Sequence, residues 1–120
     1  MQMFESSEDY LEKILMLQEQ LGHVRSIDIA VDMGFSKPSI SIAMKKLNEN
    51  GYILIDKKTG YITLTEEGEK IARKIYERHV TLTNLFVSLG VDEEIAKKDA
   101  CKIEHDLSDE TYEAIKKALK

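Results

Sequence analysis

The segment from residue 26 to residue 64 constrains the fold most strongly, because four short elements are predicted there in close succession. Gly34 ends a first short helix, and Ser36 is a predicted N-cap with Pro38 in the first turn of the next helix. Two β-rich runs then flank the basic turn 57–60, which predicts a hairpin. A pair of short helices joined by a glycine-containing turn and followed by a basic-tipped hairpin is typical of a winged helix-turn-helix.

Apolar residues at helical spacing predict helices on both sides of this segment. A first helix is expected over about Ser7–Gln20, and Ser26 is the expected N-cap of the short helix that follows it. Three more helices are expected after the hairpin, each opened by a capping side chain: Thr65, Asp92 and Ser108. The predicted fold is mostly α with a small β-hairpin, in which a winged helix-turn-helix domain (residues 1–65) precedes a second, helical domain (residues 66–120).

The apolar stripes of the last three helices predict which side chains are buried. The long helix is expected to bury Ile71, Ile75, Leu82, Leu85, Phe86 and Leu89, and the next one Ala96, Ala100, Ile103 and Leu107. The final helix is short, and its stripe of Tyr112, Ile115 and Leu119 needs a neighbour. A second subunit is one possible neighbour.

Positive charge is concentrated in one part of an otherwise acidic chain. The formal net charge is −5, which disfavours a protein that binds nucleic acid non-specifically. Between residues 37 and 58, however, five lysines stand against two carboxylates, which leaves a local excess of three positive charges. The alternative is a solvated helix face, the usual role of surface lysines. The residues expected to contact DNA are Ser36, Lys37, Pro38, Ser39, Ser41, Ile42, Lys45, Lys46, Lys57 and Lys58.

Six side chains of the kinds that bind metals are distributed over three predicted helices: Asp9, Glu12, His79, Cys101, Glu104 and His105. The spacing i, i+3, i+4 of Cys101, Glu104 and His105 would place these side chains on one face of a helix. Asp9 and Glu12 repeat the i, i+3 spacing near the N-terminus. The pattern predicts a metal clamp that draws on three helices.

The ligand types bear on which metal would bind. Carboxylate oxygens and imidazoles suit Mn²⁺ or Fe²⁺, whereas a thiolate at Cys101 would favour Fe²⁺, Co²⁺ or Zn²⁺. The backbone carbonyl of Cys101 is an alternative donor to its sulfur. The structural alternatives are a partly buried histidine at position 79, solvated carboxylates at positions 9 and 12, and a small buried thiol.

The chain is expected to be cytosolic. The start Met1–Glu5 has neither the basic region nor the apolar run of a signal peptide, and Cys101 is the only cysteine. No apolar stretch approaches the roughly 18 residues that are needed to span a bilayer. We therefore expect no membrane association.

Four short segments are specific enough to indicate a family: Asp9-Tyr10-Leu11-Glu12, Arg78-His79, Leu89-Gly90-Val91-Asp92, and Ala100 to His105 followed by Leu107-Ser108. Over nearly its whole length the chain resembles the metal-dependent transcriptional repressors of the diphtheria toxin repressor and manganese transport regulator type. The resemblance implies a homodimer whose winged helices bind a palindromic operator in double-stranded DNA. It also implies that the second domain binds metal and dimerises, and that divalent metal is the co-repressor of metal-uptake genes.

The resemblance assigns the ligands residue by residue. Asp9, Glu12, His79, Glu104 and His105 match ligand positions of the manganese-sensing branch. Cys101 instead stands where that branch has a glutamate, and here the chain is similar to the iron-sensing branch, which has a methionine at the position of Asp9. The expected cofactor is therefore Mn²⁺ or Fe²⁺, with Zn²⁺ and Co²⁺ as competitors.

Two other functions are compatible with parts of the pattern. A metal-independent winged-helix regulator that responds to an organic effector would leave the carboxylates merely solvated. A metal hydrolase is disfavoured, because six candidate ligands leave no evident open coordination position or separate general base. We therefore expect no enzymatic activity.

Overall fold

The computed structural model describes residues 5–119. Within this range, six helices and a two-stranded antiparallel sheet divide between two compact units, residues 5–73 and 74–119, with α4 contributing to both. This confirms the mostly helical fold with a hairpin. None of the helices described has the length and apolar character that a membrane crossing requires. The elements are α1 (Glu5–Leu21), α2 (Ser26–Met33), α3 (Lys37–Glu49), β1 (Ile53–Ile55), β2 (Ile62–Leu64), α4 (Glu66–Ser88), α5 (Glu93–Ile103) and α6 (Asp109–Ala118).

The helix-turn-helix of the first unit consists of α2 and α3. Gly34 follows α2 with a φ of 71°, a left-handed conformation that glycine adopts without steric cost. Ser36 is the N-cap of α3, because its Oγ accepts a hydrogen bond from the N–H of Ser39 at 3.3 Å, and Pro38 lies in the first turn. These observations confirm the predicted start of the second short helix.

The start of α2 differs from the prediction by one residue. Arg25, with an extended backbone, is the N-cap, and its N–H donates to Oδ2 of Asp28 at 2.9 Å. Ser26 is already the first helical residue. The prediction that Ser26 caps this helix is therefore wrong, because the carboxylate of Asp28 supplies the capping contact instead.

The core of the first unit is formed by apolar side chains from its helices and its hairpin. α1 contacts α2 and β2, α2 contacts α3, and α3 contacts β1. Burial of each large apolar side chain contributes about 1.5–3 kcal/mol. Nine such side chains expose 2% or less of their surface: Leu11, Ile14, Val24, Ile29, Ile40, Met44, Leu47, Ile53 and Ile62.

The hairpin is short and its turn is held by one carboxylate. In the antiparallel pair, Leu54 lies opposite Thr63. Oδ1 of Asp56 accepts hydrogen bonds from the backbone N–H groups of Lys58 at 2.7 Å and Thr59 at 2.9 Å. These hydrogen bonds, the one from Thr59 first, lower the pKa of Asp56 below its ordinary value of 3.8. The turn that carries the wing lysines is thereby ordered while Asp56 is ionised.

The start of α4 approaches the chain before β1 very closely. The N–H of Thr65 donates to the carbonyl of Tyr52 at 3.0 Å, and its Oγ1 donates to the carbonyl of Gly51 at 2.7 Å. Oγ1 of Thr65 also accepts from the N–H of Gly68 at 3.2 Å, as expected for a cap. A Cβ at position 68 would lie 2.0 Å from the carbonyl oxygen of Tyr52, so only glycine fits there.

The second unit has the predicted caps but not all of the predicted buried residues. The side chain of Asp92 accepts from the N–H of Glu94 at 3.1 Å, and Oγ of Ser108 accepts from the N–H of Thr111 at 3.1 Å. The prediction that Leu89 and Ile103 are buried is wrong, because they expose 72% and 38% of their surfaces. Both lie at a helix C-terminal end, beyond the packed part of the stripe. The buried apolar residues of this unit include Ile75, Leu82, Ala96, Ala100 and Tyr112.

An ion pair links α6 to α4. Nζ of Lys116 donates to Oε1 of Glu77 at 2.9 Å, and this hydrogen bond lowers the pKa of Glu77 and raises the pKa of Lys116. Nζ of Lys116 also lies 5.5 Å from the centroid of the Tyr112 ring. The pair helps to hold the short last helix in place.

We predict that Gly68→Ala destabilises the protein by about 1–3 kcal/mol or more, because the methyl group must displace backbone atoms rather than a flexible side chain. Urea denaturation would measure the difference in the free energy of unfolding. Glu67→Ala, at an exposed neighbouring position, is the matched control. Equal midpoints for Gly68→Ala and the control would contradict the close approach.

We predict that Lys116→Met lowers the melting temperature only within a window of pH. A lowered pKa stabilises the fold above the ordinary value for Glu77, 4.5, and this contribution is lost as pH falls through the folded-state value. The raised pKa of Lys116 stabilises the fold below 10.5, and this contribution is lost as pH rises through the folded-state value. Thermal scans at pH 7 should separate wild type from variant, and the difference should shrink as the pH is lowered below 4.5. A constant difference would contradict the pairing.

Candidate metal centre and DNA-binding surface

Glu104 is the centre of a polar cluster in the second unit. Its side chain is fully buried, with 0% exposed. Nδ1 of His79, on α4, lies 3.0 Å from Oε2 of Glu104, and Nε2 of His105 lies 3.5 Å from Oε1. The side chains of His79 and His105 expose only 19% and 3% of their surfaces. Two predicted imidazole ligands therefore meet at one predicted carboxylate ligand.

The end of α5 determines where these ligands lie. Glu104 is the C-cap of α5, and its N–H donates to the carbonyl of Ala100 at 3.0 Å. The N–H of Asp106 then donates to the carbonyl of Ile103 at 3.1 Å, so the chain tightens into a turn that contains His105. The expectation that Cys101, Glu104 and His105 share one helix face is therefore wrong at its C-terminal end, because α5 ends at Ile103.

Cys101 has a different environment from Glu104. The thiol lies on the last turn of α5 and is exposed, whereas Glu104 is buried. Oγ1 of Thr83, one turn after His79, donates to the carbonyl of His79 at 2.7 Å. The cluster around Glu104 consists of this carboxylate and the imidazoles of His79 and His105.

The predicted ligands of the first unit lie on α1. Asp9 and Glu12 are one helical turn apart, as the i, i+3 spacing predicts. Glu12 is buried, with 7% of its surface exposed, and Asp9 is half-buried. Carboxylates are seldom buried unless they are paired or coordinate a metal. The burial of Glu12 therefore argues against the alternative that its carboxylate is merely solvated.

The donor set of the second unit fits a divalent cation. Oε1 of Glu104 is buried and accepts no hydrogen bond from the residues that the structure describes. An ionised carboxylate in such a place needs positive charge nearby, which imidazoles supply only when they are protonated. Neutral imidazoles and a carboxylate are the ligands that Mn²⁺, Fe²⁺ and Zn²⁺ accept in proteins.

One residue of this cluster was missed by sequence reasoning. Arg78 precedes His79 and exposes only 4% of its surface. Its guanidinium donates to the carbonyl oxygens of Glu104 and Leu107 and to the carboxylate of Asp109. The Arg78-His79 segment was the only sequence signal for this role. The backbone carbonyls that accept from Arg78 cannot be identified from residue types.

The surface predicted to bind DNA is available on the first unit. All ten residues are exposed, and the side chain of Ile42 exposes 59% of its surface on α3. Oγ of Ser36 donates to Oγ of Ser39 at 2.8 Å, which orders the first turn of α3. Lys57 and Lys58 lie in the turn that Asp56 holds.

The base of the wing is fixed by aromatic stacking. The rings of His23 and Tyr61 are nearly parallel, with centroids 4.3 Å apart, and the guanidinium carbon of Arg25 lies 4.9 Å from the Tyr61 centroid. The N–H of Ile62 also donates to the carbonyl of Val24 at 2.7 Å. The segment before α2 therefore holds β2, which positions the hairpin beside the helix-turn-helix.

Comparisons with known proteins cover nearly the whole chain. The family model described as iron dependent repressor, N-terminal DNA binding domain, matches residues 2–61. The model described as iron dependent repressor, metal binding and dimerisation domain, matches residues 65–120.

Individual relatives lead to the same family. The transcriptional regulator MntR of Escherichia coli O6:H1 is 38% identical over 109 residues, which are 91% of this chain and 70% of that protein. The regulator MntR of Bacillus subtilis is 38% identical over 103 residues, 86% of this chain and 72% of that protein. The solved structure of a manganese-dependent transcriptional repressor in complex with manganese superposes with a TM-score of 0.84 at 30% identity. The match covers 94% of this chain but only 52% of that one, so the chain spans about half its length. The chain belongs to the iron-dependent repressor family of metal-dependent transcriptional regulators.

Proposed function

We propose that this protein is a metal-responsive DNA-binding repressor in which a divalent metal is the co-repressor. The observation that carries the proposal is the fully buried carboxylate of Glu104 with imidazole nitrogens of His79 and His105 at 3.0 and 3.5 Å. The family supports it, because its members pair a DNA-binding domain with a metal-binding and dimerisation domain. Regulation of metal-uptake genes in the cytoplasm is part of the same proposal.

We propose that Asp9 and Glu12 of α1 complete the ligand set. Two more carboxylates would give hard oxygen donors in the number that Mn²⁺ or Fe²⁺ prefers. Cys101 is the sixth proposed ligand, through its sulfur or its backbone carbonyl. Mn²⁺ and Fe²⁺ are the proposed physiological metals, although Zn²⁺ and Co²⁺ would also bind a site of this composition.

The division of the ligands between the two units suggests how metal would control DNA binding. Residues 1–65 are the proposed DNA-binding domain, and residues 66–120 the proposed metal-binding and dimerisation domain. An ion held by ligands from both would restrict their relative motion. In a dimer this would hold two α3 helices at the spacing of successive major-groove turns, about 34 Å.

Exposed apolar side chains in the second unit support the proposed homodimer. They lie near the C-terminal end of α4, near both ends of α5 and at the end of α6, where charged residues would be usual in a monomer. Two copies that share such a surface would form an isologous contact with twofold symmetry. A palindromic operator would match this symmetry. The residues concerned are Val87, Leu89, Ile95, Ile103 and Leu119.

The decisive experiment selects bound duplexes from a random DNA pool with Mn²⁺, anaerobic Fe²⁺, Zn²⁺ or chelator. Anisotropy titrations on the selected duplex at fixed salt then rank the metals. A palindrome that binds only with metal is the expected result. Equal binding in chelator would contradict the proposal and favour the regulator that responds to an organic effector.

We predict that Glu104→Gln and His105→Gln each lower metal affinity by at least about 100-fold. Loss of a residue that only hydrogen-bonds to a ligand already costs about 10–100-fold, and these two residues are proposed ligands themselves. Metal-stimulated DNA binding should be lost in parallel, while binding in chelator should not change. Glu110→Gln, at an exposed position of α6, is the control for loss of one carboxylate. Wild-type stimulation by Mn²⁺ in both ligand variants would contradict the site.

We predict that Lys57→Ala and Lys58→Ala each weaken DNA binding and lower the slope of log K against log salt by about 1, because each loses one phosphate contact. The loss should be the same for operator and random DNA. Lys98→Ala, on the exposed face of α5, removes the same charge from the second unit and should leave the slope unchanged. Unaltered slopes in the wing variants would exclude the wing from the interface.

A further inference from the structure

We propose that Arg78 is a positioning residue for the metal site, acting on the turn that carries Glu104 and His105. This inference rests on the proposed metal-dependent function. Arg78 would not touch the ion. It would hold the ligand turn in the conformation that the ion requires before any ion is bound.

The guanidinium of Arg78 reaches three acceptors on the segment between α5 and α6. Nη1 donates to the carbonyl oxygen of Glu104 at 3.2 Å and to that of Leu107 at 2.6 Å. Nη2 donates to Oδ1 of Asp109 at 2.5 Å. These acceptors lie at the end of α5, in the turn, and at the start of α6, so one side chain ties all three parts together.

Glu104 is held at both ends by consecutive residues of α4. Arg78 binds its backbone carbonyl, and Nδ1 of His79 lies 3.0 Å from its side-chain Oε2. Consecutive helical residues point about 100° apart, so one turn of α4 can serve both ends of Glu104. A shift of Arg78 would therefore move a ligand turn relative to His79, itself a proposed ligand.

The burial of Arg78 indicates that these contacts are specific. The residue exposes 4% of its surface, and its guanidinium carbon lies 5.1 Å from the Tyr112 ring centroid. Burial of a guanidinium is costly unless its donors are satisfied. Nη1 and Nη2 of Arg78 are satisfied, whereas its buried Nε donates to none of the residues that the structure describes. The carbonyl of Glu104 lies at the C-terminal end of α5, where the helix dipole favours a cation. The positive charge of Arg78 therefore stabilises the turn through the helix dipole of α5. A neutral side chain would not provide this interaction.

Lysine cannot reproduce this arrangement. Its ammonium is a single point, whereas the planar guanidinium presents five N–H donors in a fixed fork. Arg78→Lys keeps the charge and the helix propensity but cannot reach the separate acceptors at once. Arg73→Lys is the matched control, because Arg73 is exposed on the same helix and pairs with Glu69 one turn away.

The experiment measures the affinity of each purified protein for Mn²⁺ and Co²⁺ by competition with a fluorescent chelator. We expect Arg78→Lys to bind either metal about 10–100-fold more weakly than wild type, and Arg73→Lys to bind as wild type does. The visible spectrum of bound Co²⁺ should change in Arg78→Lys, which reports altered ligand geometry. A folded Arg78→Lys protein with wild-type affinity and an unchanged Co²⁺ spectrum would overturn the inference.

A second measurement needs no variant and decides the matter if Arg78→Lys fails to fold. In wild-type protein, the side-chain N–H resonances of Arg78 should exchange slowly with solvent and shift when Zn²⁺ is added. Absence of a shift at saturating Zn²⁺ would overturn the inference. Failure of wild-type protein to bind any metal would instead refute the proposed function.

Discussion

The buried carboxylate of Glu104 is the constraint on which the second unit depends. An ionised carboxylate with no exposed surface is costly to maintain unless positive charge or hydrogen-bond donors surround it. Imidazole nitrogens of His79 and His105 lie beside it, at 3.0 and 3.5 Å. A divalent cation would compensate that charge and would use the imidazoles as ligands in their neutral form. Metal bound at this carboxylate would therefore add to the stability of the folded second unit.

Rigid elements around this carboxylate give the site its geometry. α4 carries His79 and Arg78 side by side, and α5 ends at Ile103 with Glu104 as its C-cap. In the first unit, the caps of α3 and α4, the Asp56 turn and the contact between Gly68 and Tyr52 order the predicted DNA-binding surface locally. These contacts lie within each unit, and the proposed role of the ion is to restrain one unit against the other.

Much of this arrangement could be predicted from the sequence, because caps and periodicity act locally. Ser36, Asp92 and Ser108 cap the helices they were expected to cap. The wrong predictions concern positions where a competing or longer-range contact determines the structure. The carboxylate of Asp28 accepts from the N–H of Arg25, so α2 begins one residue earlier than predicted. Leu89, at the end of the predicted apolar stripe of α4, is exposed. Arg78 was missed as part of the site because two of its three acceptors are backbone carbonyls, which no residue type reveals.

The central claim is that a metal bound at Glu104 has both imidazoles as ligands. Electron spin echo spectroscopy of the Mn²⁺-loaded protein measures nitrogen couplings to the ion directly. The account predicts couplings from two imidazole nitrogens, one of which disappears in His79→Gln and the other in His105→Gln. Bound Mn²⁺ without nitrogen coupling, or with a spectrum that neither variant changes, would contradict it.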